Sequence, residues 1–211
     1  MPDRLPIRTT AAALVTAALL TGCGTTPAPD APAAPATPGK TSATAPAVKA
    51  AATLGGPGSA CALPVSFGLA ADWKPAAVKE PADPDFAELV RQGPAVMRCE
   101  VDAKPSGNIG FLRVWTAAKG PARTALEGFV TAASRPSAVT YRDTRAGALA
   151  AVEVTYTTYS ELTDESKEER AFAVSTPKGA VVIVHLGGFD TDEHRAMLPA
   201  YELARSTTKA L

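Results

Sequence analysis

The chain is 211 residues long, 46% hydrophobic, and carries 21 basic against 21 acidic residues. Six of those charges (Arg4, Arg8, Lys40, Lys49, Asp3 and Asp30) precede position 59, where the composition shifts, so 17 basic and 19 acidic residues follow it; this excludes the clustered basic excess of a nucleic-acid or anionic-membrane surface. The roughly 150 residues after that point can bury about two thirds of the unfolded chain's surface in one domain without help from a metal.

The N-terminus reads as an export signal over residues 1–22. Arg4 and Arg8 make a positive start, and Thr9 to Leu20 is an uncharged apolar stretch of 12 residues, too short to span a bilayer. Leu20-Thr21-Gly22-Cys23 follows at once and resembles the bacterial lipobox. Small residues there let the signal peptidase close on the backbone, and the Cys23 thiol carries the diacylglycerol. The alternatives are an ordinary signal peptide with an incidental cysteine, or a buried core cysteine. With two or more acyl chains the anchor is stable where one would be marginal, since each buried methylene contributes roughly 0.8 kcal/mol. The expected location is therefore the extracytoplasmic face of the cell membrane, with the bilayer itself as a partner through acylated Cys23.

Residues 23–58 read as the lipidated cysteine and a disordered tether, rich in Pro, Ala, Thr and Gly and without an aromatic residue, so they cannot bury enough apolar surface to offset their ordering entropy. The 35 residues after Cys23 would reach roughly 30 Å as a coil and about 110 Å as extended polyproline II. Residues 59–211 then form the single domain. Leu63 to Leu69 and Trp73 to Val78 read as a hairpin at a sheet margin. Asp83-Pro84 starts a short helix whose Phe86, Leu89 and Val90 share a face, ended by Gly93-Pro94. Ala95 to Asp102 alternates, with Met97, Cys99 and Val101 on one side, and Pro105 to Asn108 turns it into a second strand from Ile109 to Thr116.

A second helix over Pro121 to Ser134 places Leu126, Phe129, Val130 and Ala133 on one face. Ala138 to Asp143, Leu149 to Tyr159, Arg170 to Thr176 and Ala180 to Leu186 read as four more strands, with the charged run Asp164 to Arg170 as a solvated turn. Asp190 to Glu193 caps a closing helix packed through Met197, Leu198, Tyr201 and Ala204 or Arg205, which Pro199 should kink or split. This order gives an α+β fold: an antiparallel sheet of about six to eight strands flanked by helices.

The opening LPVSFGLAADW, headed by Trp73, resembles that of domains with the PsbP-like fold, which include the LpqN-type actinobacterial lipoproteins. So does the ending, where TPKGAVVIVHLGG is a hairpin strand and DTDEHRAMLPAYELARSTTKAL a closing helix. The resemblance runs over residues 60–211 in element order and carries no catalytic signature. It implies an α/β/α sandwich and an extracytoplasmic binding or assembly role.

Cys61 and Cys99 are the cysteines left after lipidation, and in an oxidising compartment they are expected to form a disulfide; two separate buried thiols are the alternative. His185 and His194 bracket Asp190, Asp192 and Glu193, yet that spacing matches no zinc or calcium loop and acidic residues suit a helix N-terminus on their own, so no metal and no cofactor is assigned. Trp73, Phe111, Trp115 and Tyr156, with Tyr141 and Tyr159, are candidates to line a cleft between sheet and helix for a small apolar ligand; core packing is the competing reading. No G-x-S-x-G elbow, H-E-x-x-H pair, phosphate loop or unpaired nucleophilic cysteine occurs, so no catalytic residue is assigned. The reading is a non-catalytic binding or accessory module of the cell envelope, engaging an envelope protein or a small apolar ligand and no nucleic acid. An envelope hydrolase or an assembly factor are the alternatives.

Overall fold

The computed structural model describes residues 48–211. The strands are β1 (Ala52–Leu54), β2 (Val65–Leu69), β3 (Lys74–Ala77), β4 (Arg91–Gln92), β5 (Ala95–Asp102), β6 (Gly110–Ala117), β7 (Ser137–Ala146), β8 (Leu149–Ser160), β9 (Glu165–Ser175), β10 (Val181–Gly188) and β11 (Lys209–Ala210). The helices are α1 (Pro84–Ala87), α2 (Ala122–Thr131) and α3 (Thr191–Thr207). Eight strands form one antiparallel sheet in the order β3-β5-β6-β10-β9-β8-β7, with β4 also paired to β5. A small sheet, β1-β2-β11, stands apart.

The layering follows from which faces are apolar. Strand β10, VVIVHLGG, is buried along its whole length, as a near-continuous β-branched run must be when both faces of a central strand are covered. On one face Val182, Val184 and Leu186 pack with Leu112, Val114 and Phe172 against Met197, Tyr201 and Ala204 of α3 and Phe67 of the small sheet. On the other, Val181 and Ile183 pack with Trp115, Val154 and Ala173 against Leu126, Phe129 and Val130 of α2. The result is the α/β/α arrangement. Gly147 makes the β7–β8 turn possible: its φ of 55° opens a two-residue loop between paired Ala146 and Leu149, and a Cβ there would lie 2.0 Å from the Thr208 carbonyl oxygen.

Several expectations are corrected. Folding begins before position 59, because Ala52–Leu54 pairs with β2 and buries Leu54 in the core. Residues 1–47, with the export signal, Leu20, Thr21, Gly22 and Cys23, lie outside the described residues. Strands β2 and β3 are not a hairpin: β2 joins the small sheet and β3 pairs with β5. The helix after Asp83 is a single turn, running into a short 3₁₀ segment, that leaves Phe86 and Leu89 exposed and buries only Val90 of its apolar trio. A bulge between Met97 and Cys99 breaks the alternation of β5, so Met97 joins the α2 side while Cys99 and Val101 face α3. The charged run is strand from Glu165 onward, not turn. Helix α3 carries Pro199 without being divided.

Candidate functional site

Helix α2 has 10 residues, about 15 Å of length, while the strands beneath it run to 11 and 12 residues, roughly 36 Å or more. One end of that sheet face is therefore left uncovered. It is the end where β9 begins, β10 finishes and β6 begins, and the register sets Glu169 opposite Tyr156 on one side and Gly187 on the other, with Phe111 beyond Gly187.

Polar side chains there are buried at the edge of the apolar core. His185 is 7% exposed and Glu169 5%. The His185 Nε2–H donates to Glu169 Oε2 at 2.9 Å, and the Tyr156 hydroxyl lies 3.3 Å from the same nitrogen. The Thr158 hydroxyl donates to Glu169 Oε1 at 3.3 Å, and Lys167 Nζ lies 3.3 Å from that oxygen while donating to the Gly188 carbonyl at 2.9 Å. The Phe129 ring of α2 meets the imidazole edge-on at 5.5 Å. Burial pushes the Glu169 carboxyl up, but the hydrogen bond and charge of His185, helped by Lys167, outweigh it and hold the group below the usual carboxylate range. Burial, reinforced by the charge of Glu169, keeps Tyr156 a neutral phenol.

Above this floor is a pocket of about 200 Å³, lined among others by Phe111, Lys167, Gly187, Ile109 and Phe189. Ile109 is 48% and Phe189 62% exposed, an apolar rim over a polar base. Phe111 is stacked by Arg113 at 4.7 Å, and Arg113 pairs with Glu100 at 2.7 Å. Position 187 admits only glycine without adjustment, since a Cβ there would come within 3.1 Å of Glu169 Oε2.

The geometry limits the chemistry. In a carboxylate–imidazole–hydroxyl relay the carboxylate and the hydroxyl occupy opposite ring nitrogens. Here Glu169 and Tyr156 both approach Nε2, and Nδ1 is buried without a partner. The trio is arranged to hold the floor of the pocket rather than to pass a proton along it.

The sequence candidates do not converge on one cleft. Phe111 lines the pocket and Tyr156 touches its imidazole. Trp115 is buried against Phe129 at 5.2 Å, and Trp73 lies in the core on the opposite face, so core packing accounts for both tryptophans. Cys61 and Cys99 are joined by a disulfide across a Cα separation of 5.8 Å. Among the described residues no group of three or more His, Cys, Asp or Glu side chains is placed to hold a metal, and no helix is long and apolar enough to cross a membrane. Glu169, Lys167, Ile109 and Phe189 were not anticipated. The period-two run Lys167, Glu169, Ala171, Ala173 held the signal for Glu169, but its charges read as a turn.

The model of a family described as uncharacterised lipoprotein matches residues 31–208. The chain belongs to this lipoprotein family. No curated protein matches the sequence of this lipoprotein. Among solved structures it is similar to PsbP (CyanoP) of the cyanobacterium Synechocystis, at 12% identity over 70% of this chain and 87% of that one, with a TM-score of 0.49. It is also similar to LpqN of Mycobacterium tuberculosis, described as involved in cell envelope biogenesis, at 14% identity over 75% of this chain and 88% of that one, with a TM-score of 0.42.

Proposed function

We propose that this lipoprotein is anchored by acylated Cys23 to the extracytoplasmic face of the cell membrane, and that its domain is a non-catalytic binding module. The observation that carries the first part is Leu20-Thr21-Gly22-Cys23 at the end of a short apolar stretch, in a member of a lipoprotein family. Support for the second part comes from the uncovered sheet end, where exposed Ile109 and Phe189 rim a pocket whose polar floor is held together by side-chain pairing. Such a site suits a small, largely apolar ligand with a polar end: the rim gains from burial and the floor fixes orientation. The Cys61–Cys99 bond fits an oxidising compartment. The anchoring is tested by fractionating cells that express the chain and its Cys23→Ser variant. The wild-type chain is expected in the membrane fraction, released by detergent and not by high salt, and the variant outside it; equal membrane retention of the two would end the proposal.

A further inference from the structure

A second pocket lies on the opposite face of the sheet. Helix α3 packs over β2, β10 and β9 and reaches β7 and β6; on β8 it covers Ala151 and Glu153 but leaves Thr155 and Thr157 half-buried. There a groove of about 290 Å³ is lined by Thr155, Thr157, Glu168, Glu169, Arg170 and His194, among others. His194, in the first turns of α3, is 2% exposed and its Nδ1 has no partner. Arg170 reaches Glu202 only at 3.6 Å through Nη1, and its Nε is buried without a partner. Among the described residues four buried side-chain polar atoms lack a hydrogen bond, and two of them belong to this one lining. A guanidinium Nε can only donate, and a neutral imidazole can donate from Nδ1. Buried donors left without acceptors are uncommon in folded proteins and call for a partner from outside.

Neither acidic residue in the lining supplies that partner: Glu169 is already taken by His185, Thr158 and Lys167. Glu168 is held by Arg195, whose Nε is 3.2 Å away and whose Nη2 also bonds the carboxylate. Thr155 and Thr157 add two hydroxyls on the same strand, and the positive end of α3 lies alongside. We propose that this groove is an anion site, taking a carboxylate or phosphate oxygen between Arg170 and His194 with the threonine hydroxyls as further donors. It is distinct from the pocket on the α2 face: Arg170, His194, Thr155 and Thr157 are absent from that lining, although Glu169 borders both, and either site can fail without the other.

The test is titration of the full-length chain, purified in detergent at neutral pH, with inorganic phosphate and with succinate, and with glucose as the uncharged control, followed by calorimetry. At least one of the two anions should bind saturably and glucose should not. The stronger arm identifies the source chemistry. Arg170→Gln should weaken binding about 10- to 100-fold, the range expected for losing a charge-assisted hydrogen bond. Because Arg170 is partly buried, a Thr155→Val, Thr157→Val double variant at half-buried positions provides a second reading that does not depend on the folding of the arginine variant, with a loss of several-fold expected. A third uses the unsubstituted protein, in which the side-chain nitrogen resonances of His194 should shift during the titration. Absence of saturable binding by both anions, equal binding of glucose, or shifts confined to His185 would overturn the assignment.

Discussion

His194 shows how much one buried side chain can do. Burial pushes its pKa down to about 4 from 6.5, against the pull of Glu169 and Glu168 and with help from Arg170 and His185. The folded chain therefore holds His194 neutral where the unfolded chain protonates it. The unfolded state binds the extra proton between these two values, so stability is complete above pH 6.5 and falls as pH drops toward about 4. The shift corresponds to about 3 kcal/mol across that window. Urea unfolding at a series of pH values should show this slope in the wild-type chain and not in a His194→Leu variant; parallel profiles for the two would show that His194 is not its source. Glu169, whose carboxyl is held low by His185 and Lys167, works in the same direction at lower pH: its contribution is present above the ordinary carboxylate range and is lost as pH falls through its depressed value.

At the scale of elements, the disulfide fastens the connection between β1 and β2 of the small sheet to β5 of the large one. The separation of 38 residues sets a loop-closure contribution of about 4 kcal/mol as an upper figure. A Cys61→Ala, Cys99→Ala double variant should lose most of that in equilibrium denaturation, and reduction of the wild-type chain should reproduce the loss. A reduced wild-type chain as stable as the oxidised one would mean that the two sheets are held by packing alone. The elements that were legible in the sequence share a trait: each has a clean period. Strand β10 is a continuous apolar run, α2 repeats Leu126, Phe129 and Val130 at helical spacing, and Asp190 caps α3 by accepting the Glu193 N–H at 2.8 Å. What was not legible depends on distant partners. The bulge between Met97 and Cys99 shows only in the pairing with β6. Strand β2 leaves its sequence neighbour β3 for β1 and β11, and β11 is contributed by the far end of the chain. Glu165 to Arg170 is strand because β8 and β10 pair with it, whatever its charge.

For the whole molecule, the layered domain carries different chemistry on its two sheet faces. The candidate site was legible only in part, through Phe111 and Tyr156, because its rim residues Ile109 and Phe189 come from two segments linked by a backbone hydrogen bond, Phe189 N–H to Ile109 O at 2.8 Å. No periodicity announces that pairing. An Ile109→Ser, Phe189→Ser variant should fold with stability close to wild type, since both side chains are already largely in water. It should also lose about 10-fold or more in affinity for any apolar ligand that co-purifies with the chain, as read by mass spectrometry of extracted lipids. Undiminished recovery of that ligand would move the binding surface elsewhere. The anchor is the claim on which the placement of everything else depends. Intact-mass spectrometry of the native product addresses it most directly: the account predicts an N-terminus at Cys23 with the leader removed and a mass increment of acyl chains on that residue, whereas an unmodified Cys23 thiol, or a mature chain still bearing Thr9 to Leu20, would contradict it.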